Sequence, residues 1–332
     1  MHSIYVIENP LMDYIMHEDE RFLERFGAHP GTMQLVEHTE FKSIIASASS
    51  YTVFPGGSGA NTARALAMLI GKDPALGKPC YSGGIGNDEA GKLFTGIMNE
   101  LSVDTAMAIK EDSTGSSAIV VTPDHDRTMF TSLGACRTFC PQDISDDFMA
   151  DSSCLYSTGY LWDTEPQKAA LFKAVDMAAG HGIPVLFDLA DPFVVDRYHG
   201  ELWNWLRGRV QVLFGNREEL SRMTSCSGTD TEIIGRAADL APTVVMKIGK
   251  RGCLVRSHGK LVHAPGESVS VVDTTGAGDS FAAGFIYGLL TRRPLLDCAK
   301  LGNRIASRVV SVDGCRYECI DRGEVLAAVG DA

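Results

Sequence analysis

The chain has 332 residues, 45% of them hydrophobic, and its 42 Asp and Glu outweigh 30 Lys and Arg to leave a formal net charge of −12. That length buries one large core or two modest ones, and the basic residues are scattered without a stripe, which argues against nucleic acid or an anionic membrane as partner. Nine cysteines, an odd number spread along the chain, point to reduced thiols and a cytoplasmic location.

Cys136 with Cys140, and Cys315 with Cys319, have a C-x3-C spacing, but no His stands at ligand spacing beside either pair, so zinc is not expected. Met1 to Ile7 is too short for a signal segment and runs into Glu8-Asn9-Pro10. The longest nearly apolar stretch, Phe281 to Leu290, is far below a membrane span.

Short apolar runs alternate with segments of helical period along most of the chain, the pattern of a mostly parallel sheet covered by helices. Ile4 to Ile7 reads as a strand, Gly59 to Ile70 as a small-residue helix, Cys80 to Gly83 as a strand, and Asp88 to Leu101 as a helix with Leu93, Phe94, Ile97 and Met98 on one face. The theme repeats with a strand at Cys154 to Ser157, a helix at Pro166 to Ala179, and strands at Pro184 to Asp188, Val210 to Phe214 and Val244 to Ile248. Helices over about Ala277 to Leu290 and Leu295 to Val310 close the chain.

Two segments break the rhythm. Asp13 to Pro55 holds β-like stretches at Met33 to Glu37 and Ile44 to Val53, and Thr105 to Thr131 holds three short strand candidates with a Pro123-Asp124-His125-Asp126 turn between the last two. Together they predict a small β lid, residues 14–55 and 105–131, over a core of 1–13, 56–104 and 132–332. Such a flap would stand above the carboxyl ends of the main strands, where open α/β sheets bind ligands.

The strongest chemical signal is Val271-Val272-Asp273-Thr274-Thr275-Gly276-Ala277-Gly278-Asp279-Ser280-Phe281 and the apolar helix it enters. A strand end passes through a small-residue turn into a helix, so the N–H groups of the first turn face outward with few side chains in the way. Gly276, Ala277 and Gly278 therefore form a candidate anion hole, and Asp279 in the same turn is a candidate general base. Taken alone, a helix cap and a tight turn explain the same residues equally well. Rival phosphate motifs fail: Gly71 to Pro79 has a Pro where a P-loop needs Ser or Thr, and Gly84-Ile85-Gly86 lacks the third glycine of a dinucleotide turn. A second cluster, Gly56-Gly57-Ser58-Gly59-Ala60-Asn61, also opens a helix. Its glycines let a polyhydroxy ligand approach the backbone, and Asn61 offers both donor and acceptor.

Both clusters resemble the two signatures of the ribokinase or PfkB family of carbohydrate and nucleoside kinases, and the resemblance runs in order from Asp13 to about Gly314. It implies a ribokinase-like α/β fold, with a mostly parallel central sheet flanked by helices on both faces and a small β-sheet lid. It also implies phosphoryl transfer from ATP with Mg²⁺ to an alcohol. By that similarity Asp13, Gly57, Ser58 and Asn61 hold the acceptor. Asn216 and Glu219, in Asn216-Arg217-Glu218-Glu219, match an N-x-x-E motif that organises Mg²⁺ and its water. Lys247, Gly249 and Gly252 pass under the nucleotide, and Asn303 lies near its base. Asp273 and Thr275, with main chain near Val309, Val312 and Gly314, resemble a monovalent-cation site of the K⁺ type. Ser157-Thr158-Gly159-Tyr160 and Asp188-Leu189-Ala190-Asp191-Pro192-Phe193 are most similar to the adenosine kinase branch, which would set Tyr160 against a purine. The expected acceptor is an adenosine-like nucleoside or a small sugar. A ribose- or fructose-type sugar kinase shares every motif, and a non-catalytic sensor of the same fold is the alternative of another class. Members of the family act as monomers or as dimers paired through their lids.

Overall fold

The computed structural model describes residues 2–124, 127–312 and 314–329; His125 and Asp126 of the expected lid turn lie outside them. In chain order the elements are β1 (His2–Ile7), β2 (Leu11–His17), α1 (Glu20–Arg25), β3 (Met33–Leu35), α2 (His38–Ser47), β4 (Thr52–Gly56), α3 (Ser58–Ile70), β5 (Lys78–Gly86), α4 (Glu89–Glu100), β6 (Asp104–Lys110), β7 (Gly115–Val121) and β8 (Arg127–Ser132). There follow α5 (Asp146–Asp151), β9 (Leu155–Thr158), α6 (Glu165–His181), β10 (Val185–Asp188), α7 (Pro192–Leu206), β11 (Val212–Asn216), α8 (Arg217–Met223) and α9 (Asp230–Ala237). The remainder is β12 (Thr243–Lys247), β13 (Cys253–Ser257), β14 (Lys260–Ala264), α10 (Ala277–Leu290), α11 (Leu295–Val309) and α12 (Arg322–Leu326). None of these helices is long and apolar enough to cross a membrane.

Among the described residues the strands form a nine-stranded sheet in the order β14-β13-β12-β11-β10-β9-β1-β5-β6 and a five-stranded sheet in the order β3-β8-β7-β2-β4. The large sheet is parallel except for the β12-β13-β14 meander at one edge. Its central strands are buried on both faces, so they read as continuous apolar runs rather than alternating ones. Ile4, Tyr5, Val6 and Ile7 of β1 are fully buried, with side chains divided between two cores. One core packs α3, α10 and α11 against one face, and the other packs α6, α7, α8 and α9 against the opposite face. Each such fully buried side chain contributes about 1.5–3 kcal/mol relative to leaving it in water. The small residues of α3 and α10 have a packing reason: a Cβ on Gly284 would stand 2.6 Å from the Leu301 carbonyl of α11.

The second sheet carries α1 and α2 on its outer face, where Met16, Phe22, Phe41, Ile44, Val120 and Phe130 form a core of their own. Three expectations need correction here. Residues 44–47 are helical, because Phe41 and Ile44 sit at i, i+3 spacing and bury one helical stripe against the sheet. The segment Thr105–Lys110 is not lid: as β6 it pairs in parallel with β5 at the edge of the large sheet. Leu11 to Asp13 belongs to the second sheet through β2, which pairs with β4 and β7. The chain therefore leaves the core at Glu8-Asn9-Pro10 rather than after Asp13.

Candidate active site

Parallel strands β9 to β12 end at one edge of the sheet, and their carboxyl ends, with the first turns of α3 and α10, line a cleft of about 1060 Å³. The second sheet forms its roof. Side chains alternate between faces along a strand, so Leu11 and Asp13 of β2, Ser117 and Ile119 of β7, and Arg127, Met129 and Thr131 of β8 line the cleft. Their neighbours Met16, Val120 and Phe130 bury the other face.

On the floor, Gly276 N-caps α10 with φ of +68°, a left-handed conformation that glycine adopts without penalty. A Cβ there would also lie 2.2 Å from Cys315 Sγ. Ala277 N–H also donates to the Thr274 carbonyl at 3.3 Å, whereas the N–H groups of Gly276, Gly278 and Asp279 have no backbone partner among the described residues. The Asp279 carboxylate is held at both oxygens: Ser58 Oγ donates to Oδ1 at 2.6 Å and Asn61 Nδ2 donates to Oδ2 at 3.0 Å. Asn61 in turn accepts from Arg64 Nη1 at 3.4 Å, and Arg64 is anchored on the Pro55 and Cys315 carbonyls at 2.7 and 3.0 Å. Ser58 and Asn61, expected on the acceptor, thus spend hydrogen bonds on orienting the carboxylate. Burial pushes the Asp279 carboxyl above its ordinary range, the Ser58 and Asn61 hydrogen bonds pull it back, and nearby Asp188 adds to the rise.

Asp13 lies across Gly56, where a Cβ would stand 2.0 Å from its Oδ2, so the Gly-Gly pair makes room for this carboxylate as well as for ligand. Its carboxyl is pushed up to about 7 by burial, against the pull of Arg64 and Arg127. Gly57, Ser58, Asn61 and Tyr160 line the same cleft, and Tyr160 donates its hydroxyl to Asp191 Oδ2 at 3.5 Å.

At the far wall Asn216 and Glu219 form a reciprocal capping box on α8. Asn216 Oδ1 accepts from Glu219 N–H at 2.9 Å, while the Glu219 carboxylate accepts from Asn216 N–H at 2.7 Å and from its Nδ2 at 2.6 Å. Burial raises the Glu219 carboxyl to about 7, opposed by Lys247. Among the described residues no group of three His, Cys, Asp or Glu side chains is close enough to hold a metal by itself. One or two hard oxygens suit Mg²⁺, which keeps most of its water. Lys247 Nζ donates to Asp188 Oδ2 at 2.7 Å and stands 3.3 Å from where a Cβ on Gly278 would lie. Burial opposes its charge, but Asp188 and Glu219 outweigh burial and raise its pKa. Gly249 and Gly252 line the cleft nearby. Asn303 lines it too, but donates to the Ala264 and Pro265 carbonyls at 3.0 and 3.1 Å, which braces the loop after β14.

Four site residues were not singled out in the sequence. Asp188 ends β10 and pairs with Lys247. Glu8 at the end of β1 is buried, accepts from Asn9 N–H at 2.8 Å and from the Thr158 hydroxyl, and is pushed up to about 7 by burial. Arg64 sits inside α3, and Arg127 reaches in from β8. A charged residue closing a fully apolar run was the available signal for Glu8 and Asp188; for the two arginines only the fold supplies it.

A sequence model described as pfkB family carbohydrate kinase matches residues 30–322. A 5-dehydro-2-deoxygluconokinase of Geobacillus kaustophilus is 29% identical, over 80% of this chain and 82% of that one. Among solved structures, the adenosine kinase of Sinorhizobium meliloti superposes with a TM-score of 0.87 at 32% identity, covering 95% of each chain. A probable sugar kinase of Rhizobium etli gives 0.88 at 31%, covering 97% of this chain and 98% of the other.

Proposed function

The chain belongs to the pfkB family of carbohydrate kinases, phosphotransferases that act on a hydroxyl group, and from that premise we propose that its acceptor is a nucleoside of the adenosine type, phosphorylated on its primary hydroxyl by ATP. The observation that carries this reading is the two-sided character of the acceptor end of the cleft. Asp13 offers a carboxylate to paired hydroxyls, while Leu11, Met33, Ile119 and Met129 of the second sheet and Tyr160 of the core add apolar and aromatic surface to the same cleft. A ribose with a planar base uses both halves. A small sugar would leave the apolar half against its hydroxyls, at the cost of burying them without partners. A sugar acid would need a cation beside Asp13; of the cations lining the cleft, Arg127 and Lys247 are paired with Asp273 and Asp188, and Lys250 stands in the loop with Gly249.

In the reaction Asp13 holds the ribose hydroxyls, and Asp279 takes the proton of the primary alcohol as its oxygen bonds to the γ-phosphorus of ATP. The bond from that phosphorus to the β,γ-bridging oxygen breaks and ADP departs. The N–H groups of Gly276 and Gly278 and the Lys247 ammonium face the charge on the moving phosphoryl group. Glu219 and Asn216 would hold Mg²⁺ through its water shell, and the ion supplies positive charge to the ATP phosphates when bound. The loop carrying Gly249 and Gly252 and the surface near Asn303 would take the adenine end of ATP.

The test is product identification by mass spectrometry after incubation with MgATP and each of adenosine, inosine, cytidine, ribose, fructose and 5-dehydro-2-deoxygluconate. A nucleoside 5′-monophosphate formed with kcat/KM about a hundredfold above any sugar is the expected outcome. A sugar or sugar acid as preferred acceptor would overturn it.

A further inference from the structure

The turn that opens α10 is tied at its start by a buried carboxylate whose partners decide whether it has room for a metal ion. Asp273 is buried; its Oδ1 accepts from Thr275 N–H at 2.8 Å and its Oδ2 from Gly314 N–H at 2.7 Å. Arg127 Nη2 also pairs with Oδ2, and Arg127 Nη1 donates to Thr275 Oγ1. The guanidinium is itself largely buried, with 14% of its side chain exposed. A K⁺ ion at Asp273 and Thr275 would need these oxygens as ligands, yet a permanent cation, the Arg127 guanidinium, already stands against Asp273 Oδ2 and Thr275 Oγ1, and a second positive charge there would meet its repulsion. The residues present therefore do not fit the monovalent ion that the family resemblance implies.

We propose that Arg127 takes the place of that ion, so that this protein works without a monovalent cation and draws the positive charge beside its anion turn from its own second sheet. The inference rests on the kinase reading for its functional meaning, but the contact itself does not depend on which acceptor is used. Arg127 acts through Asp273 and Thr275 on the setting of Gly276, and is a positioning residue in that role. The guanidinium does with two directed hydrogen bonds what an ion does with a ring of oxygens: it neutralises Asp273 and fixes the Thr275 hydroxyl next to the open N–H of Gly276.

The test compares the wild type with Arg127→Ala and Arg127→Lys in KCl and in tetramethylammonium chloride of equal ionic strength, by calorimetric melting temperature and by ATP-dependent turnover. The wild type is expected to melt and turn over alike in both salts. Arg127→Ala opens Asp273 and is expected to lose turnover in tetramethylammonium, to recover part of it in KCl, and to gain a K⁺-specific rise in melting temperature of about 3 °C or more at saturation. Arg127→Lys, which keeps the charge without the fork, should be indifferent to K⁺. A wild type that is activated or stabilised specifically by K⁺ overturns the proposal, as does an Arg127→Ala protein that keeps full turnover and ignores K⁺. Should Arg127→Ala fail to fold, the wild-type titration and Arg127→Lys still decide. A wrong acceptor assignment would show differently, as no turnover with nucleosides in either salt while the melting response stays intact.

Discussion

The two sheets contribute to the cleft in different ways. In the nine-stranded sheet the functional groups stand at the ends of elements: Asp188, Asn216 and Lys247 close β10, β11 and β12, and Asp279 lies in the first turn of α10. Those ends are held by two large cores, so the groups cannot move without disturbing packed strands. In the five-stranded sheet the functional groups are spread along the strands, on one face of a pleat whose other face packs on α1 and α2. A change at every second residue there repaints the roof and leaves the floor alone. On the proposed reading, all of the reaction chemistry but Arg127 resides in the part that is costly to alter, and acceptor choice in the part that is cheap to alter.

The sharpest way to break that division is Asp279→Asn. The amide keeps the shape and the contact with Ser58, but cannot take a proton. Turnover should fall by about 10²–10⁴, with the KM values for ATP and acceptor little changed and the melting temperature at or above that of the wild type, because a buried charge is removed. Steady-state kinetics and calorimetry on the same preparation check this. Turnover within a few-fold of wild type would remove Asp279 from the role of base.

A smaller and different effect is expected on the roof. Asp13→Asn keeps the size but replaces a carboxylate acceptor, and a hydrogen bond to a charged group is worth about 1.5–3 kcal/mol. The KM for the nucleoside should rise by roughly ten- to a hundredfold, with the KM for ATP unchanged, since Asp13 is on β2 while Gly249, Gly252 and Asn303, proposed for the nucleotide, lie in the β12–β13 loop and on α11. Equal losses for both substrates would contradict the assignment of Asp13 to the acceptor.

The same contrast explains what could be read in advance. Buried parallel strands such as Tyr5-Val6-Ile7 and Leu213-Phe214 announce themselves because both faces are apolar, and α10 does so because its turn is nearly free of side chains. The second sheet was harder, because its strands are apolar on one face and mixed on the other, and its helices are short. Ile44 and Ile45 are β-branched and suggested a strand, yet the deciding fact is that Phe41 and Ile44 fit one helical stripe against Val120 and Phe130. The edge position of β6 is a pairing choice that no local pattern encodes. Asp13, Ser58, Asn61, Asn216, Glu219 and Asp279 were all named from motifs and all line one cleft. Which side chains touch was not legible, since Lys247 meets Asp188 across 59 positions and Asn61 meets Asp279 across 218.

The least expected effect, and the one that probes the seam between the sheets, concerns Glu8. It sits where the chain passes from β1 of the floor to β2 of the roof, buried, with its carboxyl pushed up to about 7 by loss of solvent and held back in part by the Thr158 and Asn9 hydrogen bonds. The unfolded chain releases this proton near its ordinary value of 4.5, so between that pH and about 7 the folded protein binds more protons than the unfolded one. Stability from this group is therefore fully present below the unfolded value and is lost as pH rises through the folded one. Asp13 and Glu219, also raised to about 7, act in the same direction, whereas half-buried ion-paired carboxylates such as Asp230, lowered by Arg251, act oppositely at lower pH. The sum is not the useful quantity; the difference made by Glu8→Gln is. That substitution keeps an oxygen for the Asn9 N–H, presents an amide N–H that the Thr158 hydroxyl can accept in place of the second oxygen, and removes the titration. The melting-temperature advantage of pH 5 over pH 8 (about the two sides of the window) should shrink relative to wild type by an amount equivalent to about 1–3 kcal/mol. An unchanged gap would mean that Glu8 titrates alike in both states and that the seam is wetter than its burial implies.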